Sequence, residues 1–298
     1  VEKGETIAHF YFDPFVRSGL KSGGAWMNEF RNRRQVKVRG EGGSQVKAGG
    51  EGEQRTVTPL AVVVTNFPKP DESGKCLLPF REVETLFHEF GHALQHMLST
   101  VDDAAASGFG LIEWDAVEIA SQFMENWCVD KKTVKSFARH CETNELIPDA
   151  LIERVRAANN YRAAYASLRQ LCFARTDFAL HTKPPADANA LKDAVFGDLL
   201  PDIFVPGDRF LNAFTHIFSG GYSAGYYGYK WSEVMSADCY GAFEEAGLAD
   251  DAAVQRVGAR YRETILALGG SKSALDVFRE FRGREPEIGA LLRQQDLV

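Results

Sequence analysis

The chain has 298 residues, 45% of them hydrophobic and 25% charged, with a formal net charge of −7. That length and balance suit a folded protein with a substantial core, and the acidic sign gives no electrostatic reason to expect nucleic acid or an anionic membrane as partner. No apolar run is long enough to span a bilayer, and Cys76, Cys128, Cys141, Cys172 and Cys239 are scattered without a CxxC pair, so reduced thiols are expected rather than a disulfide framework.

The first expected element is a strand over 7–12. Between Val36 and Thr56 the composition turns to Gly, Lys, Glu, Gln and Ser without hydrophobic periodicity. This reads as a flexible Gly-rich insertion, 36–56, at the tip of a hairpin, a tolerated surface insertion rather than a substrate flap. A strand over 60–66 follows, with the β-branched run Val62-Val63-Val64-Thr65, and leads through Pro68 and Pro70 to a helix over 81–99. That stretch has no Pro and one Gly, and Val83, Leu86, Phe87, Phe90, Leu94 and Leu98 supply the apolar rows of a packed helix.

The same helix carries Phe87-His88-Glu89-Phe90-Gly91-His92. Residues four apart on a helix lie about 40° apart around its axis, so His88 and His92 can offer ring nitrogens to one ion. Glu89 then sits beside the metal without binding it, the place for a general base that takes a proton from a metal-activated water. His96, one turn on, falls outside the ligand pattern and reads as a packing histidine or one that supports the metal's ligands, and His9, His140 and His181 are assigned no role.

A catalytic zinc usually takes three protein ligands. The third is sought in 111–127, read as a second helix, where Asp115, Glu118, Gln122 and Glu125 fall on one stripe and Val117, Phe123, Met124 and Trp127 face a core. Spacing alone leaves Glu118 and Glu125 both open. A long helix is expected over 149–181, ended by Lys183-Pro184-Pro185, with further helices near 187–204, 208–218, 226–246, 249–267 and 273–282. Within Phe214 to Trp231 a Gly-rich turn, Gly220-Gly221 and Gly225, is combined with a cluster of phenols and one imidazole. Glycines there permit the close backbone approaches of a ligand-contacting loop. No Gly-x-Ser-x-Gly elbow competes as a nucleophile.

His88-Glu89-Phe90-Gly91-His92, Trp114-Asp115-Ala116-Val117-Glu118 and Ser121 to Trp127, taken together, resemble the thimet oligopeptidase family of zinc metallopeptidases, nearest its oligopeptidase A branch. The resemblance implies Glu118 as the third ligand of one Zn2+ beside His88 and His92, with Asp115 and Glu125 orienting the histidines. Carried over by position, it implies that His216, Tyr222 and Tyr229 act in catalysis, Tyr229 or Tyr222 being the hydroxyl nearest the oxyanion, and that Tyr226, Gly220 and Gly221 hold the peptide. The implied fold is mainly α, a zincin-like catalytic domain with a small antiparallel or mixed sheet near the N-terminus, and the whole chain, 1–298, reads as one such domain.

The implied activity is zinc-dependent hydrolysis of internal bonds in short unstructured peptides by a monomer with no nucleic-acid or membrane partner. The expected compartment is the cytoplasm, an organellar address being open. The chain begins at Val1 and resembles only the C-terminal, catalytic part of the family, so it is expected to be a fragment whose N-terminal region completes the substrate channel. Two alternatives accompany this: a zinc- and peptide-binding module with little activity of its own, and an exopeptidase releasing C-terminal dipeptides.

Overall fold

The computed structural model describes residues 4–38, 53–201 and 205–298. Among the described residues five strands come first, β1 (His9–Phe15), β2 (Trp26–Arg31), β3 (Arg34–Val38), β4 (Glu53–Val57) and β5 (Leu60–Phe67). Ten α-helices follow: α1 (Phe80–Met97), α2 (Ile119–Glu125), α3 (Lys131–Phe137), α4 (Asp149–Asn160), α5 (Ala163–Thr182), α6 (Ala188–Leu199), α7 (Gly228–Ala246), α8 (Asp251–Tyr261), α9 (Ala274–Arg282) and α10 (Gly289–Gln294). The fold is predominantly helical with small sheets near the N-terminus, as the sequence implies. The structure divides into two compact units, Val1–Glu113 with Ala242–Glu285, and Trp114–Gly241 with Pro286–Val298.

The first unit is built on β5. It is flanked by β1 in parallel, Tyr11 opposite Val62, and by β2 antiparallel, Met27 opposite Val63, giving a three-stranded mixed sheet. A central strand covered on both faces needs apolar residues at consecutive positions rather than alternation, and Leu60, Ala61, Val63, Val64 and Phe67 are all buried. Ala93 and Met97 of α1 pack on Ala61 and Val63, with Phe90 and Leu94 at the margin of the same cluster. Elsewhere in this unit Tyr261 meets Phe281 edge-on at 5.4 Å between centroids. The helix α9 holds Val277, Phe278 and Phe281 in the core and is capped by Ser273, which accepts from Asp276 N, and by Gly283 at φ 75°.

β3 and β4 pair antiparallel from Arg34–Val57 to Val38–Glu53. Residues 36–38 and 53–56, placed in the flexible 36–56 insertion by composition, are therefore strand. Only Val36-Lys37-Val38 alternates, and Glu53-Gln54-Arg55-Thr56 are polar in succession before Val57, a pattern too weak to register against the Gly-rich stretch. The rest of that insertion, 39–52, lies outside the described residues.

The second unit centres on α5. Cys172 and Phe173 pack with Val195, Phe196 and Leu200 from the α6 region and with Leu211, Phe214, Ile217 and Tyr226. The expected helix over 149–181 is two helices, because the chain turns at Arg162, which has φ 60°. The expected helix over 208–218 is two single 3₁₀ turns, Phe210–Asn212 and Thr215–Ile217. The buried residues there, Leu211, Phe214 and Ile217, are three apart, the 3₁₀ repeat, which an apolar-spacing argument cannot tell from an α-helix over so short a run. α6 ends at Leu199, and residues 202–204 of the expected 187–204 helix lie outside the described residues.

Candidate active site

In the first unit the site begins with α1. Advancing 100° per residue from Phe90 puts Ala93, Leu94 and Met97 within about 60° of one line, the line that packs on β5, and puts His88 and His92 about 160–200° away from it. The two imidazoles thus share the face turned from the sheet, their ring centroids 4.9 Å apart and nearly perpendicular. Glu89 lies between them in sequence and is only 5% exposed.

His92 also meets the Phe109 ring edge-on at 5.4 Å. The loop bearing Phe109 is fixed from behind. Phe109 N donates to Glu29 Oε1 of β2 at 2.6 Å, and the same carboxylate oxygen lies 3.3 Å from Nδ1 of the fully buried His96. His96 Nε2 faces two carbonyl oxygens, Arg31 O at 3.0 Å and Leu60 O at 3.2 Å, so this nitrogen carries the proton. Gly108 makes the arrangement possible: it has φ 62°, and a Cβ there would stand 2.4 Å from His96 Nδ1. His96 is a packing residue, as the sequence suggests. The role of Glu29 was invisible there, since 80 residues separate it from Phe109.

In the second unit Glu118 is not part of a helix over 111–127. It is the residue preceding α2, with φ −90° and ψ 0°, and its carbonyl accepts from Gln122 N at 3.0 Å, so Gln122 and Glu125 follow it in helical register while Asp115 lies in the turns before it. Long-range contacts explain the difference. Asp115 O accepts from Ser232 Oγ at 2.6 Å and Asp115 Oδ2 from Tyr227 OH at 2.6 Å, which holds this segment in turns. The bond to Asp115 pushes the Tyr227 phenol up to about 12.

Glu118 is 5% exposed, with Ser121 Oγ 2.9 Å from its Oε2 and Tyr222 OH donating to its Oε1 at 2.8 Å. Burial, and then the negative charge of Glu118, raise the Tyr222 pKa far above the usual phenol value, so Tyr222 is a donor at any physiological pH.

The phenol-rich loop sits against this carboxylate. Tyr222 stacks on Tyr229 with centroids 4.7 Å apart and lies 5.0 Å from Trp114. The exposed His216 is 6.3 Å from Tyr222, centroid to centroid. The Gly220-Gly221 turn brings them together: Gly221 has φ 88°, a Cβ on Gly220 would stand 2.7 Å from His216 Cα, and Tyr222 N donates to His216 O at 2.9 Å. Tyr226, expected on the resemblance to hold the peptide, is largely buried. It is 9% exposed, its ring packs on Phe214 at 5.0 Å, and its hydroxyl donates to Gln170 Oε1 at 3.0 Å, so it anchors the loop to the core.

Comparison with known proteins bears on what these two halves belong to. The profile of Peptidase family M3 matches residues 1–297. The chain belongs to Peptidase family M3. Among curated M3-like relatives it is 49% identical, over 99% of its length, to "Organellar oligopeptidase A, chloroplastic/mitochondrial" of Arabidopsis thaliana, and 48% identical, again over 99%, to "Probable cytosolic oligopeptidase A" of the same plant. It spans 36% and 41% of those two proteins. Among solved structures, "PZ peptidase A with inhibitor 2" superposes on 95% of this chain and 42% of its own with a TM-score of 0.60 at 15% identity, a likeness of fold. No helix among the described residues is long and apolar enough to cross a membrane.

Proposed function

We propose that this M3 chain carries the catalytic centre of a zinc-dependent oligopeptidase, hydrolysing internal bonds of short unstructured peptides. The observation that carries the reading is the α1 face, with His88 and His92 side by side and the buried Glu89 next to them. Glu118 is taken as the third ligand beside them, two imidazoles and one carboxylate being a ligand set of catalytic zinc. The fit is supported by Glu118 itself, a buried carboxylate held in place by two hydroxyls. Zinc, when bound, supplies Lewis acidity toward a carbonyl and lowers the pKa of water.

The remaining chemistry falls to this chain's side chains. Glu89 accepts the proton of the attacking water and returns it to the leaving amine. Phenol hydroxyls stabilise the negative charge that develops on the scissile carbonyl oxygen. Tyr222 donates its single proton to Glu118 in this structure and so fixes the carboxylate, and Tyr229 or Tyr222 would be the hydroxyl nearest the oxyanion. His216, exposed at the rim of the same loop with Gly220 and Gly221, meets the peptide.

The test is metal content and cleavage of an internally quenched peptide with a blocked C-terminus, by the native full-length polypeptide and by this chain, with and without a chelator. Chelator-sensitive cleavage is expected from the full-length polypeptide, and its absence from both would defeat the reading. Cleavage restricted to peptides with a free C-terminus would favour the dipeptide-releasing alternative. Metal binding without turnover by this chain alone would favour the alternative of a zinc- and peptide-binding module with little activity of its own.

A further inference from the structure

One buried ionisable group of the second unit takes no part in this chemistry. Asp177, on α5, is fully buried, and its carboxylate faces the backbone of the phenol-rich loop. Ala224 N donates to Oδ1 at 3.0 Å and Tyr226 N donates to Oδ2 at 2.9 Å. His181 Nδ1, one turn along α5, lies 2.9 Å from Oδ1 and 2.9 Å from Asp177 O, two acceptors that fix the proton on that nitrogen.

Between the two gripped amides the chain does something that L-residues avoid: Ala224 has φ 55°, in the left-handed region. Nothing local to an alanine favours that conformation, whereas a buried carboxylate must keep its hydrogen-bond donors. The gripped segment lies between Tyr222 and Tyr229, the stacked pair of which one holds Glu118. α5 is a firm base for the grip, with Cys172, Phe173, Ala174 and Thr176 buried around it.

We propose that Asp177, oriented by His181, is a positioning residue for this loop: its two backbone hydrogen bonds hold Ala224 left-handed and thereby set Tyr222 and Tyr229 against Glu118. The inference rests on the reading of that loop as part of a peptide-hydrolysing site. Asp177→Asn is the sharp perturbation, because an amide presents one acceptor and one donor where two N–H groups point in.

The experiment uses the zinc-loaded full-length polypeptide and reads two quantities, amide hydrogen exchange of residues 222–229 and kcat on a quenched peptide. In Asp177→Asn the amides of Ala224 and Tyr226 are expected to exchange faster while those of α1 do not change, with bound zinc retained and kcat reduced on the order of a hundredfold, the scale of an ångström-level misplacement. Adding Ala224→Gly, which lets the backbone adopt the left-handed region without a Cβ, is expected to restore roughly fivefold of kcat. A general loss of stability would not be repaired selectively at that one position. Should Asp177→Asn fail to fold, Ala224→Val attacks the same grip from the loop side and is expected to lower kcat likewise. Wild-type exchange at Ala224 and Tyr226 in Asp177→Asn, or wild-type kcat in Ala224→Val, would overturn the proposal. An inactive wild-type polypeptide with the expected exchange change would instead defeat the peptidase reading and leave the grip standing.

Discussion

Replacing Tyr222 by Phe isolates one atom at the centre of the proposed site. The ring contacts survive, since a Phe ring keeps the 4.7 Å stack on Tyr229 and the 5.0 Å approach to Trp114. What is lost is the hydrogen bond of 2.8 Å to Glu118 Oε1, made to a carboxylate that is 5% exposed and so has little water to replace it. A hydrogen bond to a charged group contributes about 1.5–3 kcal/mol, which is roughly 10- to 150-fold in an equilibrium constant. Groups that hydrogen-bond to metal ligands typically change metal affinity by roughly 10- to 100-fold when removed. Zinc affinity, measured by competition with a chelating dye, is therefore expected to fall by one to two orders of magnitude. Turnover at saturating zinc is the second reading. Unchanged turnover would leave Tyr229 as the oxyanion donor, while a fall of roughly 10²–10³ would give Tyr222 that role as well. Zinc affinity equal to wild type would refute the argument, because it would mean that Glu118 either needs no such support or does not bind the metal.

Glu89→Gln is expected to retain stoichiometric zinc and lose peptide hydrolysis by several orders of magnitude; activity in the metal-loaded variant would remove Glu89 as the base. Gly108→Ala meets both a positive φ of 62° and an overlap of 2.4 Å with His96 Nδ1, and a cost of about 3 kcal/mol is expected as a lowered melting temperature. A variant that melts with wild type would show that the loop can give way there. Asp13, paired with Arg17 and then Lys21, has its pKa lowered from 3.8 to about 2. A depressed carboxylate stabilises fully above its unfolded-state value and loses the contribution as pH falls through the folded one. The melting-temperature gap between wild type and Asp13→Asn is thus expected to close between about pH 4 and about pH 2, and a gap constant across that window would contradict the pairing.

The parts of this site that sequence could display are those whose logic is local. His88, Glu89 and His92 need only the helical repeat to be read, and α1 spans 80–97 where 81–99 was expected, because its apolar rows and flanking prolines are all within one segment. Glu118 obeys no local rule. Its neighbour Asp115 is held by Tyr227 and Ser232, 112 and 117 residues on, and those bonds convert an apparent helix into turns. Only the resemblance to a family selected Glu118 over Glu125, since spacing had left both open. The short helix α3 was missed although Asp130 caps it by accepting from Thr133 N, a signal four residues long and easily lost between two apolar stretches.

The phenol loop shows the same division at finer grain. Glycine and tyrosine content identify a loop built for close approach, but the inward turn of Tyr226 is decided by Phe173 and Phe214, and the left-handed turn at Ala224 by an aspartate 47 residues earlier in the chain. An alanine in a glycine-rich segment gives no sign that it will adopt a glycine's conformation. Once the carboxylate is seen beneath it, the sequence acquires a reason. A glycine at 224 would take the left-handed region without opposition, whereas the Cβ of the alanine opposes it and the two bonds to Asp177 hold it there, so the loop's geometry depends on a buried charge.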